Sequence, residues 1–244
     1  MYDLRAGRSI KLTFDGVNDV PLWTPDGGRL IYARTDPPMG LWSIAAHASN
    51  ESPRVVWPEG HYHPHGWSPD GRELIAVINT YDPRFTWDIV KLPIRDKGER
   101  QAMVTSPFVE GLTGAALSPD GRWLAYSSNR TGAHEVWLQA YPGPGDPVPV
   151  SINGGWNPVW ARDGRELYYL EDDQMMAVAI APGSTPLNKL PVRLFKSSYS
   201  HPPYTVPSWN VAPNGRFVMI KPVDKEAASP PITVILNWAP GVER

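Results

Sequence analysis

The stretch from Gly66 to Ile78 reads GWSPDGRELIAVI, and it decides the fold because the chain repeats it. The matching stretches are LWTPDGGRLIYAR from Leu22, ALSPDGRWLAYSS from Ala116, VWARDGRELYYLE from Val159 and NVAPNGRFVMIKP from Asn210. Their turn residues are Asp26, Asp70, Asp120, Asp163 and Asn214, at intervals of 44, 50, 43 and 51 residues. Five copies with the same internal order indicate a structural repeat.

Each copy has the pattern of a β-hairpin. Pro presets φ at the first turn position, Asp tolerates the second, and Gly supplies the positive φ that follows. An alternating run such as ELYYL from Glu166 then has the period of a packed strand. We therefore expect Gly71, Gly121 and Gly164 to adopt positive φ.

Further strands follow each hairpin. Third strands are predicted at 40–45, 86–92, 135–141, 175–180 and 232–238, and weaker fourth strands near 53–57, 101–105, 147–151 and 190–195. No segment shows sustained helical periodicity. Repeats of roughly 40–50 residues with four short strands each are typical of the blades of a β-propeller. The sequence thus predicts an all-β chain with a propeller fold.

The Ser-Pro-Asp-Gly-Arg hairpins resemble those of the TolB-type, WD-repeat-like β-propellers of bacteria. The segments GGWNPVWARDGRELYYLEDDQMMAVAI, PNGRFVMIKP and ITVILNW are similar to the C-terminal propeller segment of bacterial Ser/Thr kinase-like proteins. Two departures are Trp160-Ala161-Arg162, where Trp-Ser-Pro is usual, and Leu117 and Val211, where Trp is usual. The resemblance implies the fold, and it implies that such proteins are often periplasmic or extracytoplasmic. It is weak for activity, because the repeated residues build blades.

The two ends of the chain have complementary gaps. Residues 2–7 and 9–13 resemble the third and fourth strands of a blade, whereas the last repeat ends after its third strand at Trp238. We expect residues 8–13 to pair with 232–238 and close a single propeller domain of five blades over residues 1–244. Six blades are the alternative, which requires a sixth blade of only two strands. The chain can also be a fragment of a longer parent, cut inside a blade.

Composition excludes several classes of function. No window reaches the roughly 18 apolar residues of a membrane span, and the N-terminus lacks the apolar core of a signal peptide. A net charge of −2 with scattered Lys and Arg argues against nucleic acid as a partner. The chain has no Cys, which excludes disulfides, thiol catalysis and zinc–thiolate sites.

Known catalytic signatures are absent from the sequence. It contains no G-x-S-x-G, H-E-x-x-H, P-loop or dinucleotide-binding motif. Some related propellers accompany a hydrolase domain, as in prolyl oligopeptidases, and that domain is missing from this chain. The repeated Asp residues are best interpreted as turn formers, and Trp23, Trp67 and Trp160 as packing between blades.

Position within a blade selects candidate site residues. The inner strand of a blade begins at one mouth of the central channel, so the residues four to six before each Trp should lie there, as should the loops that join second to third strands. Such concave mouths commonly bind ligands. The predicted ligand-binding residues are Asp19, Tyr81, Arg84, Trp156, Asn157 and Tyr204.

Three histidines alternate at one of these positions. His61, His63 and His65 project to one side of an extended strand, and neutral imidazole suits zinc, manganese or iron. With Asp19 from the preceding blade they are the predicted metal ligands, His65 being weaker because Pro64 can bend the strand. The alternative is that the three histidines have only a structural role at the start of an inner strand.

Three functions remain open on the sequence. The first is a module that binds a protein, peptide or small molecule at the channel mouth. The second is a metal-dependent hydrolase of lactones, esters or phosphotriesters, with a divalent ion held in the channel; the resemblance extends to oligogalacturonate lyases, which hold a metal with propeller histidines. The third is a structural unit without a ligand.

Overall fold

The computed structural model of the chain describes residues 1–3, 7–47, 51–81, 86–96, 98–143, 145–180, 190–196, 209–212 and 214–220. Within these residues every regular element is a β-strand, and there is no helix. Contacts divide the chain into two compact units, Met1–Pro107 and Phe108–Arg244. The all-β prediction is confirmed, whereas the prediction of a single domain and the number of blades stay predictions.

The first unit contains two four-stranded antiparallel sheets and a short hairpin, each with its strands in chain order. The hairpin pairs β1 (Tyr2–Asp3) with β2 (Arg8–Ser9). The first sheet consists of β3 (Asn18–Trp23), β4 (Arg29–Arg34), β5 (Gly40–Ala45) and β6 (Arg54–Pro58). The second consists of β7 (Tyr62–Trp67), β8 (Glu73–Asn79), β9 (Trp87–Pro93) and β10 (Gln101–Val104).

The second unit repeats this organisation, again with neighbouring strands adjacent in sequence. One sheet consists of β11 (Glu110–Leu117), β12 (Trp123–Ser128), β13 (Glu135–Ala140) and β14 (Val148–Pro149). Another consists of β15 (Trp156–Trp160), β16 (Glu166–Glu171), β17 (Gln174–Ala179) and β18 (Val192–Lys196). A hairpin pairs β19 (Trp209–Val211) with β20 (Phe217–Met219).

The repeated hairpin turns have the predicted chemistry. Gly71 and Gly121 have φ of 68° and Gly164 has 69°, so the positive φ expected of all three is confirmed. The Oδ1 of Asp70 accepts hydrogen bonds from Ser68 Oγ at 2.6 Å and from the backbone N–H of Arg72 at 3.1 Å. The equivalent bond to the N–H two residues on is made by Asp26, Asp120, Asp163 and Asn214. The recurring carboxylates are therefore turn formers, as predicted.

Adjacent sheets within each unit are joined at these turns. Trp67 Nε1 donates a hydrogen bond to the carbonyl oxygen of Trp23 at 2.8 Å, and Trp160 Nε1 donates to that of Ala116 at 3.1 Å. Apolar side chains from facing strands fill the space behind each bond, including the fully buried Leu41 and Leu74 in the first unit and Leu138 and Leu167 in the second. Trp23 was also expected to pack between blades, but its side chain is 49% exposed and only its carbonyl takes part.

The predicted strands occur close to their expected bounds, and β5 coincides with the predicted 40–45. At the N-terminus only Arg8–Ser9 of the expected 8–13 is a strand, and it pairs with β1. Because 232–238 lies outside the described residues, closure of the ring by that pairing stays a prediction.

Candidate functional site

The strand β7 and the residue before it hold the three alternating histidines. His61 and His63 are two residues apart on extended backbone, so their side chains lie on the same side. Their Nε2 atoms are 3.3 Å apart, and their ring centroids are 5.1 Å apart in an edge-on arrangement. The indole of Trp87, at the start of β9, packs on both rings with centroid distances of 5.2 Å to His61 and 4.9 Å to His63. The sheet thus brings this pair together as the sequence predicted.

Burial keeps these imidazoles neutral. His63 is only 2% exposed, and removal from water lowers its pKa to about 4, with nearby His61 contributing in the same direction. The pKa of His61 is also lowered by burial, although the charge of Asp19 opposes the shift. Two neutral rings with their Nε2 atoms turned together can share one proton or bind a common partner.

Asp19 is held beside His61 by a strained piece of backbone. The register of β3 against β4 shifts between Asp19 and Leu22, and Val20 has φ of 44°, a conformation that a β-branched residue rarely adopts. Such bulges re-aim side chains and are frequent beside functional sites. Burial raises the pKa of the Asp19 carboxyl, and His61 moderates the rise.

Asp19 also lines a mainly apolar pocket of about 460 Å³ in the first unit. Tyr32, Leu30 and Ile44 form one wall, and residues 10–13 form another. Asp19 thus lines this cavity and is also an electrostatic neighbour of His61. Convergence of a few polar groups on an apolar cavity is typical of ligand sites.

His65 does not continue the alternation. The register of β7 against β8 shifts between Pro64 and Gly66, so His65 is the extra residue of a bulge at the place where Pro64 was expected to interrupt the strand. Its pKa is lowered to about 3, first by burial and then by the neighbouring His63. His65 is therefore a neutral, partly exposed imidazole beside the pair.

Three buried polar atoms in this region have no hydrogen-bond partner among the described residues. They are Asp19 Oδ1, His63 Nδ1 and His65 Nε2. An unsatisfied buried polar group costs about 1–3 kcal/mol, and most such groups in native proteins are paired. These three lie on two neighbouring strands of the first unit and can bond to a ligand or to water; buried atoms such as Thr113 Oγ1 and His134 Nδ1 in the second unit are in the same condition. We call Asp19, His61, His63, His65 and Trp87 the histidine cluster.

Tyr81 is the other predicted ligand-binding residue in the first unit. It is 60% exposed, has φ of 55°, and its hydroxyl lies 3.6 Å from the sulfur of Met39. Its position is fixed by a bond of 2.7 Å from its backbone N–H to Asn79 Oδ1. Arg84 and Tyr204, predicted with it, lie outside the described residues.

Trp156 and Asn157 lie in the second unit, at a bulge that corresponds to that of Asp19 and Val20. The register shifts between Trp156 and Val159, and Asn157 has φ of 50°. Trp156 stacks on His134 with centroids 5.2 Å apart, and it packs against the cluster of Trp209 and Phe217. Trp156 is thus largely a packing residue, and a ligand contact by it or by Asn157 stays a prediction.

A buried polar network in the second unit was not predicted. Glu110 is completely buried and accepts a hydrogen bond of 2.8 Å from Arg130 Nη2, which also donates to the hydroxyl of Tyr126 at 2.9 Å. The guanidinium lies 4.7 Å from the centroid of Trp137. The hairpin register could have indicated this network. Glu110 is paired with Ser128, and Ser128 comes two residues before Arg130. The network fixes the loop after β12.

No ready-made metal centre is present: the portion of the chain that the structure covers holds no group of three or more His, Asp or Glu side chains arranged around one ion. The predicted set of His61, His63, His65 and Asp19 is therefore not assembled as four ligands. His61 and His63 converge, His65 is displaced by the bulge, and Asp19 is an electrostatic neighbour of His61. Among the same residues no helix is long and apolar enough to cross a membrane.

Comparison with known proteins places this fold among the TolB-like propellers. No family model matches the sequence. An uncharacterized protein of Agrobacterium fabrum is 32% identical over 111 residues, which are 45% of this chain and 36% of that protein. TolB from Acinetobacter baumannii matches 86% of this chain and 50% of its own, with a TM-score of 0.66 and 15% identity. An oligogalacturonate lyase in complex with manganese matches 92% of this chain and 64% of its own, with a TM-score of 0.62 and 16% identity.

These similarities establish the fold. The chain has the architecture of a TolB-like β-propeller, as the repeated hairpins predicted. It spans 36% of the length of the Agrobacterium fabrum protein and half that of the TolB chain. Solved structures with this fold include TolB and an oligogalacturonate lyase, so the fold by itself does not decide the function.

Proposed function

We propose that this chain is a ligand-binding β-propeller module, that the histidine cluster contacts the ligand, and that exposed Tyr81 supplies a separate contact. The observation that supports this most strongly is the set of buried polar atoms without partners, Asp19 Oδ1, His63 Nδ1 and His65 Nε2. A ligand that supplies hydrogen bonds to them recovers free energy that the free protein forgoes. The bulge at Val20 supports the same proposal, because backbone strain is concentrated at ligand sites.

The chemistry of the cluster favours a neutral or hydrogen-bonding ligand group. His61, His63 and His65 have lowered pKa values, so they are uncharged at neutral pH, and each imidazole offers one donor and one acceptor. Asp19 supplies an acceptor. Peptide groups, hydroxyl-rich small molecules and lactones all fit this pattern, whereas a strongly anionic group meets no cation in the cluster.

A defined panel of short peptides, neutral sugars, sugar acids and a γ-lactone tests the proposal by NMR of the histidine Hε1 protons. We expect a binding class to shift the signals of His61 and His63 and to leave that of exposed His47 unchanged. His61→Gln and Asp19→Asn should each weaken binding at least tenfold, and His47→Gln should not. Binding that survives both substitutions, or no binding by any class, would count against the proposal.

A metal-dependent hydrolase is the second candidate. The close approach of the neutral His61 and His63 through Nε2 favours it, because neutral imidazole is a good ligand for divalent transition metals. When bound, such an ion polarises a carbonyl or phosphoryl oxygen and activates water. Here Asp19, with its raised pKa, would act as the proton acceptor next to the pair. Turnover of a lactone, an ester or a phosphotriester that depends on added metal and is lost in Asp19→Asn distinguishes this function from binding alone.

A further inference from the structure

The His61 and His63 pair brings two ring nitrogens together. Their Nε2 atoms are 3.3 Å apart, and neither atom has another hydrogen-bond partner in the described part of the chain. Packing of Trp87 on both rings fixes their orientation. The two ring nitrogens therefore point to one place from a rigid support.

This separation matches the spacing of two ligands on one tetrahedral ion. Zinc binds imidazole nitrogen at about 2.0–2.1 Å, so two nitrogens at the tetrahedral angle lie about 3.3–3.4 Å apart. A metal binds a ring nitrogen that carries no proton, so the proton between the two Nε2 atoms must leave that position when the ion binds.

We propose that His61 and His63 form a two-histidine site for a divalent cation of the zinc class, with Asp19 as the acidic neighbour that lowers its electrostatic cost. The inference rests on the proposed function and deepens it, because the ion would be the point at which the ligand is held. No third His, Asp or Glu completes the site among the described residues, so two coordination positions remain for water or for a ligand oxygen. His65 is not a ligand, because the bulge removes it from the alternation.

The affinity should be that of an open site. Structural zinc sites have four protein ligands, and a ligating histidine usually donates its second ring N–H to an acceptor. Here two ligands converge, and His63 Nδ1 has no such acceptor among the described residues. We therefore expect a dissociation constant on the order of micromolar, weak enough to be exchangeable.

Calorimetric titration of chelator-stripped protein with zinc chloride tests this proposal. One zinc per chain is expected, and His61→Ala and His63→Ala should each weaken binding at least tenfold. Asp19→Asn should weaken it several-fold. The matched control is His47→Ala, which removes an exposed histidine of the same unit and should leave the affinity unchanged.

Two further measurements separate the possible outcomes. Cobalt(II) in place of zinc should give the intense visible bands of a four-coordinate ion, and His61→Gln should remove them. Because His63 is buried, the half-buried His61 is the variant of choice if His63→Ala does not fold. No zinc binding, or binding that both histidine variants retain, overturns the site. Ligand binding that persists in EDTA overturns the proposal that the metal holds the ligand and leaves the proposed function standing. Zinc binding without any ligand binding supports the metal site and overturns the proposed function.

Discussion

The indole Nε1 of Trp67 donates a hydrogen bond of 2.8 Å to the carbonyl oxygen of Trp23, and this bond joins the inner strands of two neighbouring sheets. Trp160 makes the corresponding bond to Ala116, also 44 residues earlier in the chain. The Trp of the repeat therefore contributes more than apolar area, because it carries a directional bond between blades. Neighbouring sheets do not share a backbone ladder, and in each unit this tryptophan hydrogen bond links them at the equivalent position.

Replacing Trp160 with Phe keeps most of the apolar volume and removes this bond. Trp160 is 8% exposed, and loss of one hydrogen bond with its carbonyl partner left unpaired should lower the free energy of unfolding by about 1–2 kcal/mol. The matched control is Trp123→Phe, since the indole of Trp123 makes no hydrogen bond among the described residues and should cost less. Urea denaturation measures the free energy of unfolding of both variants. Equal losses would mean that the hydrogen bond of Trp160 does not stabilise the protein.

Replacing Gly71 with Val tests the turn and the packing on it together. Positive φ costs a non-glycine residue about 1–2 kcal/mol, and a Cβ at Gly71 would also lie 3.1 Å from Pro25 Cγ. Gly27→Val is the matched control, because Gly27 has φ of 67° and no atom within 4 Å of its added Cβ. Both variants should melt lower than the wild type, Gly71→Val by more. A melting temperature equal to that of the wild type in either variant would contradict the assignment of a positive-φ turn at that glycine.

Replacing Asp70 with Asn should be tolerated, whereas Asp70→Ala should not. Asn retains the Oδ1 that accepts from Ser68 and Arg72, and the fifth repeat has Asn214 with the same backbone bond. Hydrogen bonds from Ser68 and Arg72 hold the pKa of Asp70 below its ordinary value, so the charged form favours the fold above that value and the advantage is lost on acidification. Thermal melting at pH 7 should place the wild type highest, Asp70→Asn slightly below it because it lacks the charge, and Asp70→Ala lowest; Asp70→Ala melting above Asp70→Asn would be incompatible with a turn role.

The stability of the metal-free protein should fall on acidification in a way that depends on His63. Its folded pKa is about 4, below the ordinary value of 6.5, so between these values the unfolded chain binds a proton that the folded chain does not. Stability is therefore complete above pH 6.5 and declines as the pH falls towards 4, by about 1.4 kcal/mol for each pH unit. The pKa of Asp19 is raised in the folded protein, so the contribution of Asp19 to stability increases as the pH falls and opposes that of His63.

The check is the free energy of unfolding in EDTA from pH 4 to 7 for the wild type and His63→Gln. The variant should show a shallower slope over this range. An identical slope would mean that His63 is accessible to protons in the folded state.

Much of the fold follows from local chemistry that the sequence displays. The Pro-Asp-Gly turns specify a positive φ at a fixed position, and short apolar runs specify the strands that follow, so β5 and β9 were predictable within a residue. The bulges were harder to predict because they depend on the register of two strands. Pro64 indicated the bulge in β7, whereas nothing in the sequence indicates the left-handed backbone of Val20.

The site was predictable only as far as strand alternation holds. His61 and His63 are paired as predicted, since both precede the bulge in β7, whereas His65 falls within it. The partnership of Glu110 and Arg130 depends on a contact across a hairpin between residues 20 positions apart. Burial of the histidines, which decides their protonation, depends on Trp87 of another strand and is not visible in the repeat.

The free energy of unfolding of His63→Leu, in the metal-free protein at pH 7, tests the central claim most directly. If the histidine cluster exists to bind a ligand, its unsatisfied His63 Nδ1 is a burden on the free protein, and leucine of similar volume should leave stability unchanged or raise it by about 1 kcal/mol. Ligand and zinc binding should be lost in the same variant. A fall of more than about 2 kcal/mol, the usual cost of damage to a core, would show instead that the imidazole supports the fold and would contradict the account.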